Sequence, residues 1–257
     1  MGNDLASCPT WTPSEATSES YGHTIRAMKL SSFLKFGFVI YRCTYSDDAA
    51  WTQLLSLLKR EAQEDIKELG PGRDWLGAHL EWTVVEDPTL DGATQEEVKR
   101  RFDGWADGVV EEYGRTSTDN VRGLPRFNFC VLVDEKCLAS LEKSRAAVDG
   151  RKRPVFVVLM RAKRGIPAWV LEAQAAASQR PRSDVDSKDE EEEVFEDEEE
   201  EEEEVEDEDD IPLAAHEGTW MYVETQHLLS FYNSLHADSG WEHFYVRPPG
   251  VYGRNEV

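Results

Sequence analysis

The sequence predicts an α+β domain, and three observations lead there. Four short apolar runs have the length and composition of strands: residues 36–43, 80–86, 126–133 and 155–160. Amphipathic stretches at helical spacing separate them. An aromatic-rich segment near the C-terminus is too short to bury its own rings and must pack on what precedes it.

Two architectures accommodate this order. One is a small α/β sheet with parallel strands. The other, favoured here, is a ferredoxin-like split βαβ sandwich with a helix inserted between its middle strands and a C-terminal strand and helix as an extension. The strands are few, the helices able to cross over follow the first and third runs, and no glycine-rich phosphate turn follows the first.

Each element has a local cause. The run 36–43 is apolar on both faces, as a strand covered on both sides would be. Ser46 then offers a helix cap, with Asp47 and Asp48 against the positive end of the dipole. Trp51, Leu54, Leu55, Leu58, Ala62, Ile66 and Leu69 recur at steps of three and four, and Gly70-Pro71 stops the helix. Residues 80–86 alternate as a strand and end at Asp87-Pro88, with a turn at Asp91-Gly92. Thr94 and Glu97 form a capping box for a helix striped by Val98, Phe102 and Trp105. Residues 114–125 read as a loop and 126–133 as the third strand. Asp134 caps a helix carrying Leu138 and Leu141, and 155–160 is the fourth strand. Residues 168–177 suit a further helix. Residues 219–223 read as a strand, followed by a helix striped by Leu228, Leu229, Tyr232 and Leu235. Residues 241–249 read as extended, since a residue before proline avoids the helical region.

Composition sets the boundaries. Residues 1–30 are rich in Ser, Thr, Pro and Glu without apolar period and read as a disordered leader. The main α+β domain is expected over 31–180, and residues 213–257 pack back on it. Between them, 181–212 reads as an acidic disordered loop. Of its core, residues 189–210, 19 are acidic and none basic, so like charges repel at helical spacing. The chain's net charge of −24 therefore misleads: outside that run stand 33 acidic and 28 basic residues, a balance of −5.

Four blocks carry a resemblance. Phe36-Gly-Phe-Val-Ile-Tyr-Arg-Cys-Thr-Tyr45, Leu80-Glu-Trp-Thr-Val-Val-Glu-Asp-Pro-Thr-Leu-Asp-Gly92, Val131-Leu-Val-Asp-Glu135 and Phe244-Tyr-Val-Arg-Pro-Pro249 resemble a family of uncharacterised filamentous-fungal proteins without assigned activity. The resemblance covers about 36–145 and 219–253. It implies a fungal origin and no mechanism, and the acidic run is no part of it.

Four cysteines without a CxxC pair give neither a disulfide framework nor a zinc site. No apolar stretch approaches the ~20 residues of a membrane span. The start has no apolar secretion core, and Ala6 stands where a myristoylation signal wants Ser or Thr. An intracellular protein is expected, cytoplasmic or nuclear, with no cofactor.

Candidate chemistry is sparse. Glu86, Asp87 and Asp91 cluster at a strand end, where carboxylates act as acid and base or hold a cation, but Asp-Pro turn chemistry explains the same residues. The histidines have neither i, i+4 pairing nor cysteine neighbours, so no metal is expected. His243, near Tyr245 and Arg247, is the best acid–base candidate and equally a rim histidine. Phe127 and Phe129 imitate an RNA-stacking strand without its glycine, and nucleic acid is not expected as a partner. The acidic run serves as a solubilising spacer or docks a basic protein such as a histone or ribosomal protein.

The leading expectation is a non-enzymatic interaction or ligand-binding protein whose surface is built from the aromatic C-terminal return. Arg42, Glu86, Asp87, Trp220, His243, Tyr245 and Arg247 are its candidate binding residues. The rival is an enzyme using Arg42, Glu86, Asp87, His243 or Arg247 in a cleft.

Overall fold

Strand β1 (Val39–Arg42) is buried at every position, which requires cover on both faces of the sheet. In the computed structural model, which describes residues 21–68, 73–113, 121–146, 153–162, 218–236 and 240–253, helices supply that cover. The chain enters through α1 (Gly22–Ser31), passes β1, then α2 (Asp48–Glu68) and α3 (Arg73–His79), and returns as β2 (Thr83–Val85). Helix α4 (Gln95–Tyr113) leads to β3 (Phe129–Val133), and α5 (Glu135–Arg145) to β4 (Phe156–Arg161). Beyond residue 217 come β5 (Trp220–Glu224), α6 (Leu228–Ser234), α7 (Gly240–Phe244) and β6 (Val251–Tyr252).

Helices plus a six-stranded mixed sheet make this an α+β fold. The strand order is β2-β1-β3-β4-β5-β6. β1 pairs parallel with both β2 and β3, β4 is antiparallel to β3 and to β5, and β6 is parallel to β5.

That connectivity corrects the split βαβ sandwich. A split unit places an antiparallel strand between two parallel ones, whereas β1 and β2 are direct parallel neighbours with Ile40 opposite Val84. The physical reason is α4. It is no insertion between hairpin strands but a crossover long enough to carry the chain back to a parallel start. The first three strands thus follow the parallel α/β alternative. Such crossovers are right-handed in nearly all sheets. Moving from β1 out to β2, then back past β1 to β3, therefore places α2 and α4 on opposite faces. Packing agrees: α2 meets α3, α5 and α6, while α4 meets β3 and joins a small second core of Phe33, Ala106, Val110, Val121, Leu124 and Phe127.

The helix stripe of α2 is buried as its spacing requires: Trp51, Leu54, Leu58, Ala62 and Ile66 all face the core. Its cap differs from expectation. Asp47, not Ser46, accepts the Ala50 amide at 2.8 Å, because the helix starts one residue later and the Ser46 hydroxyl turns to Thr44. Asp134 caps α5 as its position predicts, accepting from the Cys137 amide at 2.9 Å.

Two further readings change. The leader expected over 1–30 overlaps α1, which begins at Gly22 and buries Ile25 and Met28. Those two residues suffice because Asn233 of α6 also accepts from the Thr24 amide and hydroxyl, at 3.1 and 3.0 Å. Within the expected extended segment 241–249, residues through Phe244 are helical, since proline restrains only the residue directly before it. In the C-terminal segment, β5 pairs with β4, and Trp241 rests on Phe129 at 5.5 Å. Residues 1–20, the helix read at 168–177 and the acidic run lie outside the described residues.

Candidate functional site

Open sheets with parallel strands commonly take ligands beyond the strands' C-terminal ends. Here that end is occupied by the chain's own side chains. Arg42, last residue of β1, is buried, yet its guanidinium is fully employed. Nε donates to the Thr44 carbonyl at 2.9 Å, a terminal amine pairs with Asp48, and the other lies 3.7 Å from Glu86. The rings of Tyr45 and Trp51 flank it, 4.2 and 5.3 Å from centroid to guanidinium carbon. Glu86, just past β2, accepts from the Trp51 indole.

Asp87 behaves as a turn residue. It accepts from the Thr89 amide at 3.0 Å and hydroxyl at 2.8 Å, and Arg101 of α4 pairs with it at 3.1 Å. The Thr89 hydrogen bonds, with Arg101 behind them, lower its pKa below the usual carboxylate range. Arg42 and Glu86 do meet and tie the loop after β1 to the loop after β2, whereas Asp87 turns to Thr89 and Arg101. At the N-terminus of α2, where an anion would bind, Asp47 already caps the amides. The nearby thiol of Cys43 is pushed up to about 12 by burial and then by Asp134, which makes it a poor nucleophile.

The other four candidates lie elsewhere. Trp220 opens β5 and aligns through Met160 and Cys130 with Val39, at the start of β1 rather than its end. Two strands intervene, a separation of about 14 Å at the usual strand spacing. Trp220 meets Tyr222 edge-on at 5.3 Å, and Tyr245 lies 5.8 Å from Trp241. The Trp241 indole donates to the Gly218 carbonyl at 3.1 Å. A Cβ at Gly218 would stand 1.8 Å from the Tyr245 hydroxyl, so that ring is fitted against bare backbone. His243 packs on Phe244 at 4.7 Å with its side exposed, and Arg247 is exposed. The seven candidates thus form two groups, and the aromatics of the second are largely spent on internal packing.

A third place, missed by sequence reasoning, has the shape of a binding site. An open groove of about 930 Å³ runs between α2, α3 and the residues leading into β2. Lys59, Gln63, Ile66 and Lys67 form its α2 wall, and Leu80, Glu81 and Trp82 its floor. Because Trp51 touches Glu86 while Ile66 and Lys67 flank Leu80 and Trp82, α2 runs antiparallel alongside residues 80–86.

The floor is held by Arg126, 2% exposed. It donates to the Gly37 carbonyl at 2.9 Å and, at 2.7 Å each, to the Glu81 carbonyl, the Glu81 carboxylate and the Thr83 hydroxyl. Lys35 pairs with Glu81 from the other side at 2.7 Å. Burial raises the pKa of Glu81, but Lys35 and Arg126 outweigh it and the net direction is down. Gly37, at φ 103°, allows this closeness: a Cβ there would stand 2.8 Å from the Glu81 carbonyl oxygen.

The groove borders a sheet edge that no described strand covers. Glu81 and Thr83 donate their amides inward, to Phe36 at 2.8 Å and Phe38 at 3.3 Å. A strand's main-chain groups alternate sides, so those of Trp82 and Val84 face outward, where no described strand pairs with β2. The indole nitrogen of Trp82 is buried and without a hydrogen-bond partner among the described residues. The one sequence signal for this site is the four-residue spacing of Lys59, Gln63 and Lys67, which any solvent-facing helix could show.

Among the described residues no group of three or more His, Cys, Asp or Glu is placed to hold a metal ion, and no helix is long and apolar enough to cross a membrane. Comparison with protein families, curated proteins and solved structures finds no match to this chain.

Proposed function

We propose that this protein is a binding module that receives an extended segment of a partner against the outer edge of β2. The observation that carries the reading is the coincidence of two features: outward main-chain groups at Trp82 and Val84 that no described strand pairs, and a groove of about 930 Å³ lined by Trp82. Strand addition satisfies such groups directly, and pockets beside the edge select the side chains. Working in the cytoplasm or nucleus suits the three buried free thiols, Cys43, Cys130 and Cys137.

The rival enzymatic reading draws on Arg42, Glu86 and Asp87. Each of those carboxylates already accepts hydrogen bonds that hold the loops, so using one in a reaction would release the structure it fastens. The binding reading is tested by panning the full chain against random extended octapeptides and mapping binders by amide hydrogen exchange. Protection of the Trp82 and Val84 amides is the expected result. Binders that leave both amides unprotected, or the absence of any binder, overturn it.

A further inference from the structure

Resting on that reading, we infer that the segment is acidic, with carboxylates four residues apart on one face of an added strand. The charge of the groove points there. Lys59 and Lys67 are exposed on its wall and make no ion pair among the described residues, while Lys35 and Arg126 cover Glu81. Of the ions that line it, Lys59 and Lys67 face Asp74 and Glu81, and Glu81 is already paired with Lys35 and Arg126, which leaves the two lysines against Asp74 alone. The groove therefore presents surplus positive charge inside a chain that is otherwise acidic.

The spacing follows from geometry. Lys59 and Lys67 are eight residues apart on α2, about 12 Å along the axis at 1.5 Å per residue. An extended strand advances about 3.3 Å per residue, so four residues span the same distance. Residues i and i+4 of a strand share a face, and both can reach the lysines while the backbone pairs with Trp82 and Val84. Between them, residue i+2 stands opposite Gln63, where a hydroxyl or amide fits.

The probe is the acetylated octapeptide Thr-Glu-Val-Thr-Val-Glu-Val-Thr, with fluorescence anisotropy on the full chain as readout. Its controls carry lysine in place of both glutamates, or move one glutamate a single position to the opposite face. The acidic peptide should bind at least tenfold tighter than either control, weaken as salt screens the lysines, and protect the Trp82 and Val84 amides. The Lys59→Glu/Lys67→Glu variant should lose tenfold or more in affinity at unchanged melting temperature. Val84→Pro should abolish binding, because it removes an outward amide and leaves the β1 ladder intact. Should the double variant melt early, Lys67→Gln serves in its place with a smaller loss.

Equal binding of the lysine peptide at the same amides would overturn the charge inference and leave the docking reading standing. Octapeptides of any charge failing to protect those amides would overturn both. Amides already protected in the free full chain, with no peptide bound, would mean that the chain fills its own edge and would also overturn the proposal.

Discussion

The two halves of the sheet are built from different materials. In the parallel half, β2-β1-β3, the strands are consecutive in the chain and joined by α2 and α4. Its edge is held by ions: Arg126 on Glu81, Arg42 between Asp48 and Glu86, Arg101 on Asp87. In the other half, β4-β5-β6, where β4 and β5 are antiparallel and β6 runs parallel to β5, the chain returns from beyond residue 217, and rings dominate: Phe156 on Tyr222, Phe231 on Tyr252, Trp241 on Phe129. The contrast teaches where partners can be received. Ring packing spends its surface on internal contacts. An ionic frame fixes backbone in place yet leaves charge and main-chain groups facing outward.

The largest expected effect breaks the comparison outright. A chain ending at Gln179 loses β5, α6 and α7, and with them buried Met221, Val223, Leu228, Phe231, Tyr232 and Trp241. It should show no cooperative unfolding transition and should bind a hydrophobic dye, because β4 becomes an apolar edge. A sharp melt of that fragment would show that the parallel half is self-sufficient.

Next in size is Trp51→Ala in the parallel half. Trp51 is 2% exposed, so truncation should cost roughly 3–5 kcal/mol in denaturant unfolding. A near-neutral result would mean that the ionic frame, rather than the α2 stripe, holds this half together.

A smaller effect sharpens the join between the halves. Asp65 of α2 lies between Tyr21, whose hydroxyl donates to it at 3.5 Å, and His227 at the start of α6. Burial, then Glu68, raises its pKa to about 6, and the Tyr21 hydrogen bond only partly opposes them. A raised folded value means the native state holds the proton more tightly than the unfolded chain. The resulting stability is full below the unfolded value near 3.8 and is lost as pH rises through about 6. Asp65→Asn should therefore match the parent near pH 4 and melt higher than it at pH 8. A constant difference across that range would remove Asp65 from the account.

The smallest effect is expected from deleting residues 183–212. A run this acidic has almost nothing apolar to bury, so the melting temperature should move by only a few degrees, the shift of ~1 kcal/mol or less. Loss of the folded state on deletion would contradict the reading of the run as a spacer.

What could be read in advance follows the same division. The α2 stripe from Trp51 to Ile66, the caps at Thr94 and Asp134, and the strand read at 155–160 are properties of neighbouring residues; stripe and caps are found where periodicity or turn chemistry places them, and the strand one residue later, at Phe156–Arg161. Helix α1 escaped notice because Ile25 and Met28 are too few to form a stripe, and their partners in α6 lie some 200 residues away. Of the candidate site, Arg42 and Glu86 were visible as charges at strand ends, but their mutual engagement was not. The sequence by itself determined the stripe of α2, the caps of α4 and α5 and the apolar run of β4, where the acid is concentrated, and that the C-terminal aromatics must find a host. Only the tertiary structure decided that β1 and β2 lie parallel, that β2 is left at an edge, and that Lys59, Lys67 and Trp82 share one groove. Local propensity acts through adjacent bonds, whereas strand order depends on how crossovers of a given length cover both faces of a sheet at once.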